Sequence, residues 1–349
     1  GDFDGDGTEE GAVYRKSDGT WWVYDNEASV VALDGADGEV VAGATATDID
    51  GDGADEIVAR VGATVRVLQV SGSTAASSTI GSLGSSSGWS ASVGDVDGNG
   101  ANDVVFVNGS GSAAVATAAT VSSWGSIGSG HVITTVGDFD GDGAADLVGL
   151  RSNGVVDVAR STGSTFGSPT VWGDAGPDGG WQYAIAGDLD GDGDDDVAAF
   201  RSSSDTWHGL RSTGSQFGAM PTVSTPTLDH WSEAFAYDYG DDGRVEVIAL
   251  NAYTGTWHLG RFDGLTPVFT RLEDAPYRNT VVRNESGAGT SYLSWFGQEF
   301  AWIRTDLGYG VGGEADATTR VFGASRYDTA ARVSRLAFSG SDVVLSLIH

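Results

Sequence analysis

Short apolar runs, each closed by a glycine-rich acidic turn, recur along most of the chain. Leu147-Val148-Gly149-Leu150 follows one such turn and His131 to Val136 precedes it, and both read as strands. In the next unit Val197-Ala198-Ala199-Phe200 leads through a turn at 202–205 into Trp207-His208-Gly209-Leu210. A turn opening at Gly214, a segment near Phe217 to Val223 and a strand from Glu233 to Tyr237 complete that unit. Four short strands per unit, none able to bury its own faces, have to stack on their neighbours.

The turn that starts at Asp138 shows what chemistry the pattern carries. Asp138, Asp140, Asp142 and Asp146 stand at its positions 1, 3, 5 and 9, with glycines at 4 and 6 to allow the positive φ that turns carboxylates inward. At about 4 Å and an effective dielectric near 20, each pair of like charges costs roughly 4 kcal/mol. Converging aspartates therefore call for a cation, and hard oxygen donors in this number suit Ca²⁺. An EF-hand shares the D-x-D-x-D-G opening but needs a Glu at position 12 and helices on both sides. Here position 12 is Gly149 and the flanking segments read as strands.

Four further turns repeat the set. Loop one has Asp2, Asp4, Asp6 and Glu10; loop two Asp48, Asp50, Asp52 and Glu56; loop three Asp95, Asp97, Asn99 and Asp103. Loop four is the turn just described, and loop five has Asp188, Asp190, Asp192 and Asp196. The sixth, from Asp238, has Gly240 at position 3 but keeps Asp242 and Glu246. The seventh, from Asn284, has Ser286, Ala288 and Tyr292 where acids belong, so no metal is expected there. First positions at 2, 48, 95, 138, 188, 238 and 284 give steps of 43 to 50 residues, the signature of propeller blades. The predicted fold is all-β: a seven-bladed β-propeller of four-stranded blades with Ca²⁺-binding loops, the first blade lacking its first strand, plus a short C-terminal α/β fragment.

Trp21, Trp207 and Trp257 share one place in their repeats, and Trp302 nearly does. Packing between neighbouring sheets is their expected role, against the alternative of a ring of sugar-stacking aromatics. His208 and His258 are read as ordinary strand residues, not zinc ligands. The Gly/Ser/Ala/Thr-rich stretches at 71–90 and 113–130 belong to the repeats, as long loops or thin outer strands.

Charge narrows the functions. The 349 residues carry a net −31 with Lys16 the single lysine, which argues against nucleic acid or an anionic membrane as partner. There is no cysteine, and no run of 18 apolar residues to span a membrane. G-x-S-x-G, H-E-x-x-H and a cysteine nucleophile are all missing, so no catalytic residues are assigned and a non-enzyme is expected.

The pattern G-D-F-D-G-D-G-x-x-D-L at 137–147 resembles the FG-GAP/VCBS repeat family, related to the seven-bladed propeller of integrin α-subunits and to some fungal lectins. The resemblance covers about residues 1–312 and implies Ca²⁺ in loops one to five, an extracellular setting and ligand binding rather than chemistry. Beyond Gly313 the texture changes. Arg320, Gly323, Arg326, Tyr327, Thr329 and Ala330 resemble the opening of the cell wall binding repeat 2 family of Gram-positive surface proteins. Ser325 and Asp328 start a helix-like pattern that continues through Ala330, Val333, Leu336 and Ala337, and Asp342 to Leu345 is expected as a strand. Domains are therefore placed at 1–312 and 313–349, with 345–349 set aside because one frame of a sequencing adapter encodes Leu-Ser-Leu-Ile-His.

These readings converge on a secreted, wall-attached, monomeric module that meets a cell-wall polymer, glycan or surface protein. The alternatives are a lectin-like module, or the accessory domain of a hydrolase whose catalytic domain lies upstream.

Overall fold

The computed structural model describes residues 2–5, 11–15, 20–24, 30–33, 41–71, 74–86, 88–176, 179–220, 222–224, 231–238, 243–251, 256–262, 268–271, 293–296, 299–304, 320–322 and 343–344. Strands are the only regular elements among them, and no helix there is long and apolar enough to cross a membrane. Among the described residues every pairing is antiparallel and no sheet closes on itself, an arrangement consistent with a propeller.

The chain divides into two compact units, Gly1–Ser86 with Glu273–His349, and Ser87–Leu272. The second holds four consecutive sheets, numbered here by the loop each contains. Sheet three runs Trp89–Gly94, Asp103–Asn108, Ser112–Ala116, Val121–Ser126. Sheet four runs His131–Gly137, Asp146–Arg151, Val155–Ala159, Thr170–Asp174. Sheet five runs Trp181–Gly187, Asp196–Arg201, Thr206–Ser212, Phe217–Ala219, with Val223–Ser224 as an extra partner of its third strand. Sheet six runs Trp231–Tyr237, Glu246–Asn251, Thr256–Arg261, Val268–Arg271.

The first unit contains Val41–Thr47, Glu56–Val61, Thr64–Ser71 and Thr74–Ser82 in one sheet, sheet two, which holds loop two. A three-stranded sheet of Leu293–Phe296, Glu299–Arg304 and Arg320–Phe322 extends past residue 312. In the remaining sheet Val343–Val344, inside the strand expected at 342–345, pairs with Gly11–Arg15. It thereby lies on the side of that strand away from Thr20–Tyr24, which Val30–Leu33 follows. The helix-like segment from Ser325 to Ala337 lies outside the described residues.

Burial explains the composition of each strand. The second strands, such as Asp146–Arg151 and Asp196–Arg201, are buried at five of six positions and so read as unbroken apolar runs. The fourth strands, such as Val121–Ser126, are fully buried at only one residue, which is why serine and glycine suffice there. Between sheets five and six Trp207 is fully buried, stacked on Phe269 at 5.4 Å and edge-on to Trp231, so packing is its role. The side chains of Trp21, Trp257 and Trp302 lie outside the described residues. His208 and His258 both sit edge-on to a tryptophan of their own sheet, Trp181 and Trp231, as strand residues packed on aromatic rings.

Candidate metal centres

Loops two to six each join the first strand of their sheet to the second, so the position 9 acid is the first residue of a buried strand. The residue at position 2 points the other way, into the core. Ile49, Val96, Phe139 and Leu189 are each 3% exposed or less. The turn is thus nailed down at both ends by apolar burial.

Between these anchors the position 1 carboxylate organises the backbone. Asp48 accepts from the N–H groups of Gly51 and Gly53 at 2.7 and 3.0 Å, and Asp95 from Gly98, Asn99 and Gly100. Asp138 accepts from Asp142 and Gly143, and Asp188 from Gly191, Asp192 and Gly193. This curl requires positive φ at positions 4 and 6, and Gly141 and Gly143 have φ of 70° and 90°. A Cβ added at Gly143 meets nothing within 4 Å, so its replacement isolates the cost of backbone conformation. We expect Gly143→Ala to lower stability by about 1–2 kcal/mol in urea unfolding, with no change in the slope of the transition.

Four described loops bring carboxylate oxygens within 4.8 Å of one another: Asp48, Asp50 and Glu56; Asp95, Asp97 and Asp103; Asp138, Asp140 and Asp142; Asp188, Asp190 and Asp196. Several oxygens in these loops are buried with no hydrogen-bond donor: Glu56 Oε1 in loop two, Asp140 Oδ1 and Asp146 Oδ2 in loop four, and Asp190 Oδ1 in loop five. An unsatisfied buried carboxylate oxygen is costly, and a divalent cation among three of them removes the cost. The donor set, all oxygen and mostly anionic, fits Ca²⁺.

The position 9 acids feel the strain most. Burial, followed by the negative charge of their loop neighbours, pushes Glu56 and Asp103 up to about 7. Asp146 and Asp196 are likewise raised to about 7 by burial first, although backbone N–H groups of Ser161 and Ser212 donate to them at 2.7 Å. Asp195, at position 8 of loop five, is raised by burial to about 6.

Not every acid read from the sequence joins a cluster. Asp52 is exposed and outside the converging set; in loop three Asn99 is exposed too, and its Oδ1 accepts from Ala101 at 2.7 Å. Asp192 is drawn away by Arg211, and Asp146 stands apart from the three that converge in loop four. In loop one Asp2 and Asp4 are described while Asp6 and Glu10 are outside the described residues, as are Asp242 and all of loop seven.

The arginines behind the loops were not read from the sequence. Arg160 Nη1 donates to Asp140 Oδ2 at 3.0 Å, and Arg211 reaches Asp190 and Asp192, both at 2.7 Å. The serines that follow bind the previous loop: Ser161 Oγ donates to the carbonyl of Val96 and Ser212 Oγ to that of Phe139. A signal was present, since Arg-Ser-Thr-Gly recurs at 160–163 and 211–214. Neighbouring loops are also joined through the main chain. The position 8 N–H donates to the position 1 carbonyl of the preceding loop in Ala145–Asp95, Asp195–Asp138 and Val245–Asp188, at 2.7–2.8 Å, and in Asp55–Asp2 of the first unit.

Comparison with known proteins bears on the same stretch. Residues 138–199 match the FG-GAP-like repeat family model, from the first acid of loop four into the strand after loop five. No curated protein matches the chain. Among solved structures, one described as the protein from Lactobacillus plantarum is 13% identical, with 91% of this chain and 96% of that one covered at a TM-score of 0.52. Another, BBS1N in complex with ARL6DN, soaked with mercury, is 11% identical, with 81% and 88% covered at a TM-score of 0.46. The likeness to the Lactobacillus plantarum protein concerns the fold alone. The segment holding loops four and five is thus similar to an FG-GAP-like repeat, within an all-β, propeller-like chain.

Proposed function

We propose that this chain is a non-catalytic, Ca²⁺-binding propeller of seven blades, part of a secreted, cell-wall-attached bacterial surface protein that mediates ligand binding or adhesion. The observation that carries the metal assignment is the set of buried, donorless carboxylate oxygens converging in loops two, four and five. The family match supports a binding module, and the acidity of the chain favours an extracellular setting rich in calcium. Its partner on this reading is a cell-wall polymer, a glycan or a surface protein, and the resemblance near Arg320 to Ala330 to a wall-binding repeat is the reason to look at walls first.

Calcium acts here as a brace. The residues that would hold it are the position 1, 3 and 9 acids of loops two, three and five, and Asp138, Asp140, Asp142 and Asp146 in loop four, with loop one added from its sequence. Calorimetric titration of the full chain with Ca²⁺ should give about five ions with dissociation constants on the order of 10⁻⁴ to 10⁻³ M, as for other extracellular modules. Absence of both binding heat and a melting shift against chelator would sink the metal assignment. Pull-down by isolated wall material in millimolar Ca²⁺, lost in chelator, tests the attachment separately.

A further inference from the structure

Loop six breaks the pattern in an informative way. In loops four and five an arginine from the third strand or just beyond it holds Oδ2 of the position 3 carboxylate and leaves its Oδ1 buried without a donor. In loop six position 3 is Gly240, and the arginine at the matching place, Arg261, reaches position 9 instead: its Nε donates to Glu246 Oε1 at 2.9 Å. The Glu246 side chain is 7% exposed, as deeply placed as its counterparts, and unlike Glu56 and Asp146 it has no donorless buried oxygen. One bond of the turn is the same in both loops: Gly243 N–H donates to Asp238 Oδ2 at 2.9 Å just as Gly143 does to Asp138.

We propose that Arg261 is the resident cation of loop six, its guanidinium standing where the other loops take a divalent ion, so that this loop binds no calcium in the native protein. A cation attached to the chain is present at every calcium concentration, so loop six stays braced when the others are stripped. The proposal rests on loops two to five being Ca²⁺ sites, and its test separates the two ideas.

The full-length chain is titrated with Ca²⁺ by calorimetry as wild type, Asp196→Asn and Glu246→Gln. Asp196→Asn should lower the number of bound ions by one and Glu246→Gln should leave it unchanged. Loss of an ion in Glu246→Gln would overturn the assignment of Arg261. If no calcium binds to any variant, the metal reading of loops two to five falls, and Arg261 is then judged by melting in chelator. There Arg261→Gln should lower the midpoint, because it takes a cation from the buried Glu246 carboxylate, and Arg261→Lys should recover part of the loss. An Arg261→Gln midpoint in chelator equal to that of wild type would overturn the proposal whatever the other loops do.

Discussion

In chelator, the protein should melt at a lower temperature at pH 8 than at pH 5, and millimolar Ca²⁺ should reverse that order. Glu56, Asp103, Asp146 and Asp196 all sit near 7 in the fold, raised by burial and then by neighbouring carboxylates, against ordinary values near 4 in the unfolded chain. A carboxyl raised on folding favours the protonated native state. Stability from this source is complete below about pH 4 and is lost as the pH climbs from there through about 7. Calcium binds the deprotonated form, so its contribution grows over the same window. With dissociation constants of about 10⁻⁴ to 10⁻³ M and roughly 10 mM ion, each occupied loop gains about 1.4–2.7 kcal/mol. Summed over four loops, that amounts to a midpoint shift of roughly 10–20 °C or more at pH 8 for a domain of this size. Differential scanning at pH 5 and pH 8, with and without Ca²⁺, reads all four corners. A chelated midpoint that rises from pH 5 to pH 8 would contradict the account of the position 9 acids.

Phe139→Ala should be the most damaging single substitution in loop four, although Phe139 is not a ligand. Its ring has no exposure, meets Phe217 edge-on at 5.4 Å, and shares a core with Val148, Trp172, Val197 and Leu210. Truncation of a buried phenylalanine costs about 3–5 kcal/mol. The residue also lies between Asp138 and Asp140, so losing its buried ring removes the anchor of the backbone that places both carboxylates. Urea unfolding should show the full loss, and calcium calorimetry should show one ion fewer. Phe139→Leu, which keeps most of the volume, should cost about 1.5 kcal/mol or less and retain the ion. A Phe139→Ala variant within about 1 kcal/mol of wild type would mean that metal and backbone, not the apolar anchor, hold this turn.

The parts of this architecture that were legible in the sequence are the parts encoded locally. Positions 1 to 9 of a loop lie within one turn and the start of one strand, so Asp95, Asp97 and Asp103 announce their convergence by spacing alone. The apolar second strands were equally plain, because burial on both faces leaves no room for polar alternation. The arginines were hidden because Arg211 arrives from the third strand and Arg160 from just beyond it, and nothing local to an arginine tells which carboxylate it will meet. The outer strands at Thr74–Ser82 and Val121–Ser126 were ambiguous for the opposite reason: an exposed edge imposes almost no pattern on its residues.

One of the ties between adjacent loops uses main-chain atoms only. Asp195 at position 8 of loop five and Val245 at position 8 of loop six make the same bond to the carbonyl before them, at 2.8 Å in both cases. Side chains along the row are therefore free to drift under mutation while the thread between repeats persists. A duplicated repeat can shed its ion, recruit an arginine and still hold its neighbours, and a row of such turns can be tuned one member at a time over evolutionary time without unravelling.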